Sequence, residues 1–178
     1  MSYCCLPNMG SIRAKHNAGV LRKADNTPPA DPPRCNCQKP ALCPLPGMCT
    51  VDNAIYQTTV TTQSSNETYV GLTSQTFKKR HYSHEFDFKN RHRQNSTKLS
   101  GHIWELKDKG LDPQVSWKLI GRAHAFSPIS NKCQLCTEEK FNIVFKPQLA
   151  SLNSRNEIYS HCRHKVSSLL IKKKGKGS

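Results

Sequence analysis

Hydrophobic and polar residues alternate in three short stretches of the chain, each rich in β-branched or aromatic residues. Two of them, Val51 to Thr62 and Glu67 to Leu72, are separated by a polar Ser/Asn turn, and Val115 to Ile120 alternates in the same way further on. Such alternation is typical of strands with one buried face. The sequence therefore predicts an antiparallel hairpin and, later in the chain, a third strand.

Helical spacing of apolar residues marks the stretches between and after these strands. Ser74 is a candidate N-cap for a basic helix in which Phe77, Arg80 and His84 are three and four residues apart, so that they share one face. The same reasoning predicts two further helices. The first is capped by Ser96 or Thr97, carries Leu99, Ile103 and Leu106 and stops at Gly110, and the second runs from near Cys136 through Phe141, Ile143 and Val144 to the break at Pro147.

These elements predict an α/β fold of the α+β type, a small three-stranded antiparallel sheet flanked by helices. The segment before the sheet is polar and basic and ends in the proline-rich run 27–33, which behaves as a stiff linker. The expected organisation is a flexible basic N-terminal segment (1–33), a cysteine-rich module (34–50), a domain that carries the sheet (51–166) and a basic tail (167–178).

Basic residues outnumber acidic ones, with 27 Lys and Arg against 12 Asp and Glu and a formal net charge of +15. This balance predicts a polyanionic partner and favours nucleic acid. On charge alone, anionic membrane surfaces and acidic proteins stay open as alternatives. The residues that we expect to contact DNA phosphates are Lys78, Lys79, Arg91, Arg93, Lys172, Lys173 and Lys174.

The chain has nine cysteines, an odd number that cannot all pair as disulfides. Its first residues lack the charged start, apolar run and cleavage site of a signal peptide, and no apolar run nears transmembrane length. We therefore expect an intracellular, reducing compartment and no membrane partner. In that setting, clustered cysteines hold zinc more often than they form disulfides.

The first cysteine cluster consists of Cys35, Cys37, Cys43 and Cys49, four thiols separated by short loops with Pro and Gly. Four thiolates can close a tetrahedral zinc shell, and such short spacing lets one loop module supply all of them. The alternative is that these are unligated surface cysteines on a disordered arm. The sequence favours a structural zinc site.

The second cluster is a Cys133-x-x-Cys136 pair followed by Cys162-x-His164, with His161 as a rival ligand. Thiolates and a neutral imidazole suit zinc. A redox role for the CxxC pair is the alternative, but the thioredoxin-like version accompanies a βαβ pattern that this chain lacks. Both clusters are expected to be structural, one or two zinc ions in total, because four protein ligands leave no open position for catalysis.

Two triplets on the predicted hairpin carry most of the chemical information: Ala54-Ile55-Tyr56 on its first strand and Tyr69-Val70-Gly71 on its second. They resemble the paired motifs of the GIY-YIG nuclease superfamily, with Ala54 in place of a glycine and Val70 in place of an isoleucine. Alanine is tolerable there because a strand keeps φ below zero. The resemblance implies a GIY-YIG nuclease core.

The resemblance extends to residues beyond the hairpin. Arg80 and His84 match an arginine and a histidine that the superfamily carries one helical turn apart in the helix after the hairpin. Glu139, in the last predicted helix, matches the metal-binding acid, with Glu138 as the alternative ligand one position away. Asn153 falls where the superfamily often has an asparagine near the site.

The resemblance implies a role for each of these side chains in phosphodiester cleavage. Tyr56 would activate the attacking water, with Tyr69 or His84 as proton relay. Arg80 would contact a phosphate oxygen, and Glu139 would hold one Mg²⁺ or Mn²⁺, hard cations that prefer oxygen ligands. Because an unperturbed tyrosine titrates near pH ~10, we expect Arg80 and the metal to lower the pKa of Tyr56.

Longer strings narrow the resemblance to the endonuclease domain of Penelope-like retroelements. The chain's start, Pro7 to Ile12, is similar to the end of the reverse-transcriptase part that precedes this nuclease. The resemblance implies a DNA-nicking enzyme that cleaves a retrotransposon's target site in the nucleus, with DNA as substrate and a reverse transcriptase and the element's RNA as further partners. The strings are Cys43 to Cys49, Phe77 to Arg80, Ile103 to Lys107, Cys133 to Cys136 with Glu139-Lys140, and His161 to His164.

Each of these residues also has an ordinary structural interpretation. Tyr56 and Tyr69 could be cross-strand packing partners, Arg80 a solvated helix charge and Glu139 an exposed acid. The competing functional hypothesis is a zinc-dependent nucleic-acid-binding module without catalysis.

Overall fold

A computed structural model of the protein describes residues 35–126 and 132–154, together with Cys162 and His164. The expectations for the N-terminal segment, the basic tail, His161, Lys172, Lys173 and Lys174 fall outside the described residues.

Three antiparallel strands form the sheet, in the order β2-β1-β3. The fold class is therefore α+β with a three-stranded antiparallel sheet, as predicted. The hairpin turn is closed by Thr62, whose backbone N–H donates to the Ser65 carbonyl at 2.9 Å. The strands are β1 (Ala54–Thr61), β2 (Asn66–Thr73) and β3 (Gln114–Arg122).

Three helices flank the sheet: α1 (Phe77–Lys89), α2 (Lys98–Asp108) and α3 (Gln134–Phe145). Short 3-10 turns cover Pro40–Leu42, Arg91–Arg93 and Pro147–Leu149. The longest helix in the described part of the chain has 13 residues, and none there is both long and apolar enough to cross a membrane.

The predicted cap of α1 was wrong by two residues. Thr76, not Ser74, precedes the first helical residue, and its side chain makes no capping hydrogen bond. Instead the first two helical N–H groups, those of Phe77 and Lys78, donate to the carbonyls of Val51 and Cys49, both at 2.7 Å. Backbone from the cysteine-rich module therefore does the work of a cap, a long-range contact that local sequence does not reveal.

The start of α2 follows its local sequence closely. The Thr97 hydroxyl accepts from the Ser100 N–H, and the Ser100 hydroxyl accepts from the Thr97 N–H, which makes a reciprocal capping box. The helix stops before Gly110, which has φ +72°. Its predicted apolar face is buried: Leu99, Ile103 and Leu106.

The core lies on both faces of the sheet. One cluster joins Tyr56 and Val60 of β1 to Phe77 of α1 and to the apolar face of α2, and it continues into the cysteine-rich module. The other joins Ile55 and Val70 to the inner residues of α3. Because adjacent strand residues point to opposite faces, Ile55 and Tyr56 anchor the two halves of the core.

Candidate active site and metal clusters

The hydroxyl of Tyr56 is the centre of the candidate site. Nε of Arg80 donates to this oxygen at 2.9 Å, and Nε2 of His84 lies 2.8 Å from it. Both partners come from α1, one helical turn apart, so the helix presents them to the same point on β1. The structure thus brings together Tyr56, Arg80 and His84, as the sequence predicted.

Hydrogen-bond balance assigns the protons around this hydroxyl. Because Arg80 is a donor only, the Tyr56 oxygen accepts from it and the Tyr56 proton points to Nε2 of His84. His84 is then neutral and carries its own proton on Nδ1, which has no hydrogen-bond partner within the described part of the chain. Burial, reinforced by the charge of Arg80, lowers the pKa of His84 to about 3, in agreement with a neutral ring.

The phenol itself is not ionised by its surroundings. Burial raises the pKa of Tyr56, the charge and hydrogen bond of Arg80 only partly oppose this, and the negative charge of Glu139 adds to the rise. Arg80 therefore lowers the pKa of this tyrosine, as expected, but desolvation of the fully buried ring is the larger effect and the net shift in the protein alone is upward. Any base role of Tyr56 has to pass a proton through the hydroxyl.

Arg80 keeps its charge in this half-buried position. Burial opposes that charge, but interactions with Tyr56, Tyr69 and Asp87 outweigh burial and raise the pKa of Arg80. Arg80 is therefore not the solvated helix charge of the alternative interpretation. A buried guanidinium of this kind is suited to binding an anion.

Gly71 makes room for the Tyr56 ring. It lies directly opposite Tyr56 in the β1–β2 register, and a Cβ atom built on it would lie 2.6 Å from the Tyr56 oxygen. A side chain at this position of the second motif would therefore displace the hydroxyl. The glycine of the Tyr-Val-Gly triplet thus has a steric reason, independent of backbone conformation.

Aromatic rings fix the orientation of Tyr56 from the side of α1 and β3. The Phe77 ring packs edge-on at 5.3 Å between centroids, and the Trp117 ring lies 5.8 Å away. Trp117 also lies 5.3 Å from the His84 ring. These contacts give Trp117 a packing role, and they hold Tyr56 and His84 in one arrangement.

A cavity of about 310 Å³ opens beside Arg80. Lys79, Arg80 and His164 give it basic and hydrogen-bonding groups, and Thr73, Ser74 and Ser83 contribute hydroxyls. We call it the Arg80 cavity. Its lining matches the chemistry of a phosphate, which takes hydrogen bonds from guanidinium, ammonium and hydroxyl groups.

Tyr69 does not line the Arg80 cavity. It lines a second cavity of about 690 Å³ at the start of α2, with Lys98, His102 and Glu105. It is paired with Thr58 across the hairpin, two residues along from the position that Gly71 takes opposite Tyr56. Its hydroxyl still interacts electrostatically with Arg80. The structure therefore brings Tyr69 near Arg80 without placing it in the Arg80 cavity.

Glu139 approaches the site from the other side of the sheet. It is half-buried on α3, which packs on β2 and β1, and its charge reaches the Tyr56 hydroxyl. Glu138 is exposed on the same helix, where its backbone carbonyl accepts from the Asn142 side chain. Between the two acids, Glu139 is the one with an electrostatic link to Tyr56.

Asn153 is bound to the edge strand. Its Oδ1 accepts from the Val70 N–H at 2.7 Å, and its Nδ2 donates to the Val70 carbonyl at 2.9 Å. The Asn153 amide thus pairs with the backbone of β2 as a neighbouring strand would, at Val70, the residue between Tyr69 and Gly71. This contact gives Asn153 a positioning role for the hairpin that carries both triplets.

The four thiols of the cysteine-rich module converge on one point. The Cys35 sulfur lies 3.4 Å from those of Cys43 and Cys49, and the Cys37 sulfur lies 3.5 Å from that of Cys49. Zn–S bonds of about 2.3 Å in a tetrahedron require sulfurs about 3.8 Å apart, whereas a disulfide requires about 2.0 Å. Cys43 and Cys49 are buried, which excludes the interpretation as surface cysteines. The predicted cluster could hold one zinc ion.

One thiol of this cluster is already acidic. The Cys37 N–H donates to the Cys35 sulfur at 3.3 Å, and it lowers the pKa of Cys35 to about 7. The thiolate is the form that binds a metal.

The second cluster joins Cys133, Cys136, Cys162 and His164. Nδ1 of His164 lies 3.4, 3.3 and 3.7 Å from the three sulfurs, and the sulfurs of Cys136 and Cys162 are 3.6 Å apart. Burial lowers the pKa of His164, so its ring is neutral and can ligate. The cluster could hold a second zinc ion, and a third thiol with an imidazole at such distances fits a metal site better than a CxxC redox pair.

Each cluster lies at the start of a helix that carries candidate catalytic groups. The first supplies the carbonyls that cap α1, the helix of Arg80 and His84. The second includes Cys133, the N-cap residue of α3, the helix of Glu139. A zinc ion with four thiolates has a net negative charge, which is favourable beside a helix N-terminus.

The basic residues expected to contact DNA differ in how far they are available. Lys79 is exposed, and Lys78 donates to the neutral side chain of Asn36 at 2.9 Å. Arg91 is paired with Asp108 through two hydrogen bonds of 2.7 and 3.0 Å, and Arg93 is paired with Asp87. Lys78 and Lys79 therefore keep more of their charge for a partner.

Sequence reasoning missed three contributors to this site. It assigned Trp117 no role in the site. It predicted His164 only as a zinc ligand, and it did not predict that residue 71 must be a glycine to leave room for the Tyr56 ring. The only sequence signal for them is the short spacing of Cys162 and His164 and the glycine of the second triplet.

No protein-family model matches the chain, and neither a curated protein nor a solved structure does.

Proposed function

We propose that this protein is a metal-dependent DNA-nicking endonuclease of the GIY-YIG type that serves the target-site cleavage of a Penelope-like retroelement. The observation that carries the proposal is the fully buried Tyr56 hydroxyl, held between Arg80 at 2.9 Å and His84 at 2.8 Å. A tyrosine in a strand needs no such pair to pack. A hydroxyl linked to a cation and to a neutral imidazole is suited to moving a proton beside an anion.

The proton path follows from the hydrogen bonds. A water oxygen attacks the phosphorus, its proton goes to the Tyr56 oxygen, and the Tyr56 proton goes to Nε2 of His84. The bond from phosphorus to the 3′-oxygen breaks, and the 3′-oxygen leaves with the bonding electron pair and takes a proton from solvent. Tyr56 is never ionised in this relay, so its raised pKa is no obstacle. His84, with a pKa of about 3, is a weak base in the protein alone, and the negative charge of a phosphate near Arg80 raises that pKa.

Arg80 and Lys79 position the substrate in the proposal. Both line the Arg80 cavity, and the guanidinium already points its Nε at the Tyr56 oxygen. A phosphate bound there receives hydrogen bonds from the rest of the guanidinium fork. In this proposal the scissile phosphodiester lies next to the hydroxyl that takes the water's proton.

Glu139 is the residue that would hold Mg²⁺ or Mn²⁺. Its carboxylate is half-buried, and its negative charge raises the pKa of Tyr56. Magnesium is commonly bound through one or two carboxylates with water completing the shell. When bound, the ion supplies charge compensation for the leaving 3′-oxygen. The two Cys/His clusters would hold structural zinc and keep α1 and α3 in place.

A second candidate function is a zinc-dependent nucleic-acid-binding module without catalysis. One observation favours it: Tyr56 is fully buried and protonated, as an ordinary core tyrosine would be. Both candidates share DNA as partner. A reverse transcriptase, the element's RNA and the nucleus belong to the first candidate alone.

Plasmid nicking distinguishes the two candidates. Supercoiled plasmid is incubated with the protein and Mg²⁺ or Mn²⁺, and open-circle product is followed for the wild type, Glu139→Ala and Glu138→Ala. The neighbouring acid is a matched control, because it has the same charge on the same helix but is exposed.

The nuclease proposal expects nicking by the wild type and by Glu138→Ala, and at least a hundredfold slower nicking by Glu139→Ala, on the order of what loss of a catalytic electrostatic group costs. DNA binding without nicking by the wild type would instead support the binding module. Equal nicking by all three proteins would remove Glu139 from the mechanism.

A further inference from the structure

The outward face of α1 carries two exposed aromatic rings. Tyr82 is 61% exposed and Phe86 is 56% exposed, and they are four residues apart, so their side chains are neighbours on the helix surface. Large exposed aromatic side chains lose hydrophobic free energy by facing water, and adjacent pairs mark a contact surface more often than single ones do.

Lysines extend this aromatic pair at both ends. Lys79 precedes it and Lys89 follows it, and at 100° per residue all four side chains fall within about 80° of arc. Lys79 is exposed, and the Lys89 side chain is 74% exposed. We call these four residues the α1 strip.

The acidic groups nearby offset the charge of the strip at its Lys89 end only. Glu85 pairs with Lys89 at 3.3 Å and lies 3.9 Å from His81, at the edge of the strip. Asp87 is buried, lies outside the arc of the strip and accepts from Arg93 and Ser96. The Lys79 end is therefore the more basic one.

That basic end leads into the Arg80 cavity. Lys79 belongs both to the strip and to the cavity lining, and Ser83, which also lines the cavity, lies one helical turn after Lys79 and one turn before Phe86. Arg80 itself points to the other side of α1, so a DNA strand with a phosphate in the Arg80 cavity would pass Lys79 and Ser83 before it reaches Phe86 and Tyr82.

We propose that the α1 strip binds unpaired bases next to the scissile phosphate by stacking on Tyr82 and Phe86, while Lys79 contacts the backbone. This inference deepens the proposed function and rests on it, because it takes the Arg80 cavity as the phosphate position. Aromatic rings beside lysines are the chemistry that recognises single-stranded nucleic acid, whereas paired bases present no ring faces to them. The preferred substrate is then DNA that is locally unpaired at the cleavage site.

The chain offers a matched control on α3. Phe141 and Phe145 are also four residues apart, are 45% and 70% exposed and have Lys146 over one ring at 5.6 Å. Neither residue lines the Arg80 cavity. Replacing this pair removes similar aromatic area without touching the α1 strip.

Binding is measured by the fluorescence anisotropy of labelled DNA without added magnesium, so that the result does not depend on cleavage. The probes are a single strand of about 15 nucleotides, within the range one small domain covers, and a blunt duplex of the same length. The proteins are the wild type, Tyr82→Ala/Phe86→Ala, Phe141→Ala/Phe145→Ala and the aromatic-preserving Tyr82→Phe/Phe86→Tyr. Circular dichroism and zinc content check that each is folded.

The strip proposal expects Tyr82→Ala/Phe86→Ala to bind the single strand at least about tenfold more weakly, because the variant lacks both rings on which bases stack. Duplex binding should change less than about twofold, since lysines and phosphates dominate it. The α3 variant and Tyr82→Phe/Phe86→Tyr should match the wild type. Unchanged single-strand binding, an equal loss on duplex, or the same loss in the α3 variant would overturn the proposal.

Cleavage gives a separate readout. Wild-type protein should nick a duplex with a short unpaired stretch faster than a fully paired one, and Tyr82→Ala/Phe86→Ala should lose this preference while it still nicks paired DNA. Absence of all nicking by the wild type would contradict the proposed function, whereas nicking without any preference for unpaired DNA would contradict the strip alone.

Discussion

Nε2 of His84 and the hydroxyl of Tyr56 are 2.8 Å apart, and both side chains are fully buried. Since His84 is neutral in that position, the pair is a hydrogen bond between two uncharged groups, with Arg80 as the nearby cation. The chemistry proposed for the protein and several properties of the folded chain depend on this pair.

The protein should become less stable as the pH is lowered, because of His84. Its pKa is about 3 in the folded chain and near 6.5 in the unfolded chain, so below pH 6.5 the unfolded chain binds a proton that the folded chain does not. Stability is therefore lost as the pH falls from 6.5 towards 3, and about 2 kcal/mol is lost by about pH 5. Urea unfolding of the wild type and of His84→Gln, each at about pH 7 and about pH 5, measures this contribution.

The variant separates this effect from the acid release of zinc. Both proteins share the same Cys/His clusters, so only the wild type should lose the additional 2 kcal/mol or so between about pH 7 and pH 5. Equal losses in the two proteins would show that His84 is not buried in its neutral form.

Gly71→Ala should disturb the site more than the size of one methyl group suggests. The new Cβ would lie 2.6 Å from the Tyr56 oxygen and 2.7 Å from Cζ, so the ring has to move away from Arg80 and His84. We expect a loss of about 1–3 kcal/mol in unfolding free energy and nicking reduced by at least about tenfold. Urea unfolding and plasmid nicking measure the two effects.

Gly101→Ala is the control for this substitution. Its Cβ would meet its nearest neighbour at an ordinary 3.6 Å, inside α2, where alanine is the better helix former. It should keep full activity and gain stability. If Gly71→Ala behaves like Gly101→Ala, Tyr56 does not occupy the space above Gly71.

Zinc should bind at two independent sites and couple to α1 through the first. Metal analysis of the purified proteins should find two zinc ions per chain in the wild type. It should find one zinc ion per chain in Cys49→Ser and one in Cys136→Ser. In Cys49→Ser the amides of Phe77 and Lys78 should exchange with deuterium faster, because the Val51 and Cys49 carbonyls that cap them are no longer fixed.

Cys136→Ser supplies the comparison for the exchange experiment. It removes a zinc ligand of equal kind at the start of α3, so it should leave the first amides of α1 protected. Faster exchange of Phe77 and Lys78 in both variants would mean that zinc acts on global stability rather than on this cap.

Local patterns accounted for much of the fold. Thr97 and the spacing of Leu99, Ile103 and Leu106 predicted α2 because cap and apolar face both lie within one stretch of sequence. The hairpin followed from alternation in the same way. Ser74 failed as a cap because the carbonyls that replace it are those of Val51 and Cys49, more than twenty-five residues before the amides that they bind.

The spacing of motif residues predicted only part of the candidate site. Arg80 and His84 lie one turn apart, so their meeting with one hydroxyl follows from helix geometry once the strand is placed. The raised pKa of Tyr56 depends on how deeply the ring is buried, which emerges from packing. His164 reaches the Arg80 cavity through the second cluster, across more than eighty residues, and no local pattern encodes this.

Replacing Tyr56 by phenylalanine tests the central claim most directly, because only the hydroxyl held by Arg80 and His84 is lost. The matched control is Tyr82→Phe, which removes an exposed hydroxyl from the same region. The measurement is the single-turnover rate of plasmid nicking with Mg²⁺ for folded, zinc-loaded proteins. The account predicts a rate at least about a hundredfold below the wild type for Tyr56→Phe, in the range of lost general acid–base catalysis, and an unchanged rate for Tyr82→Phe. A Tyr56→Phe rate within about twofold of the wild type would contradict it.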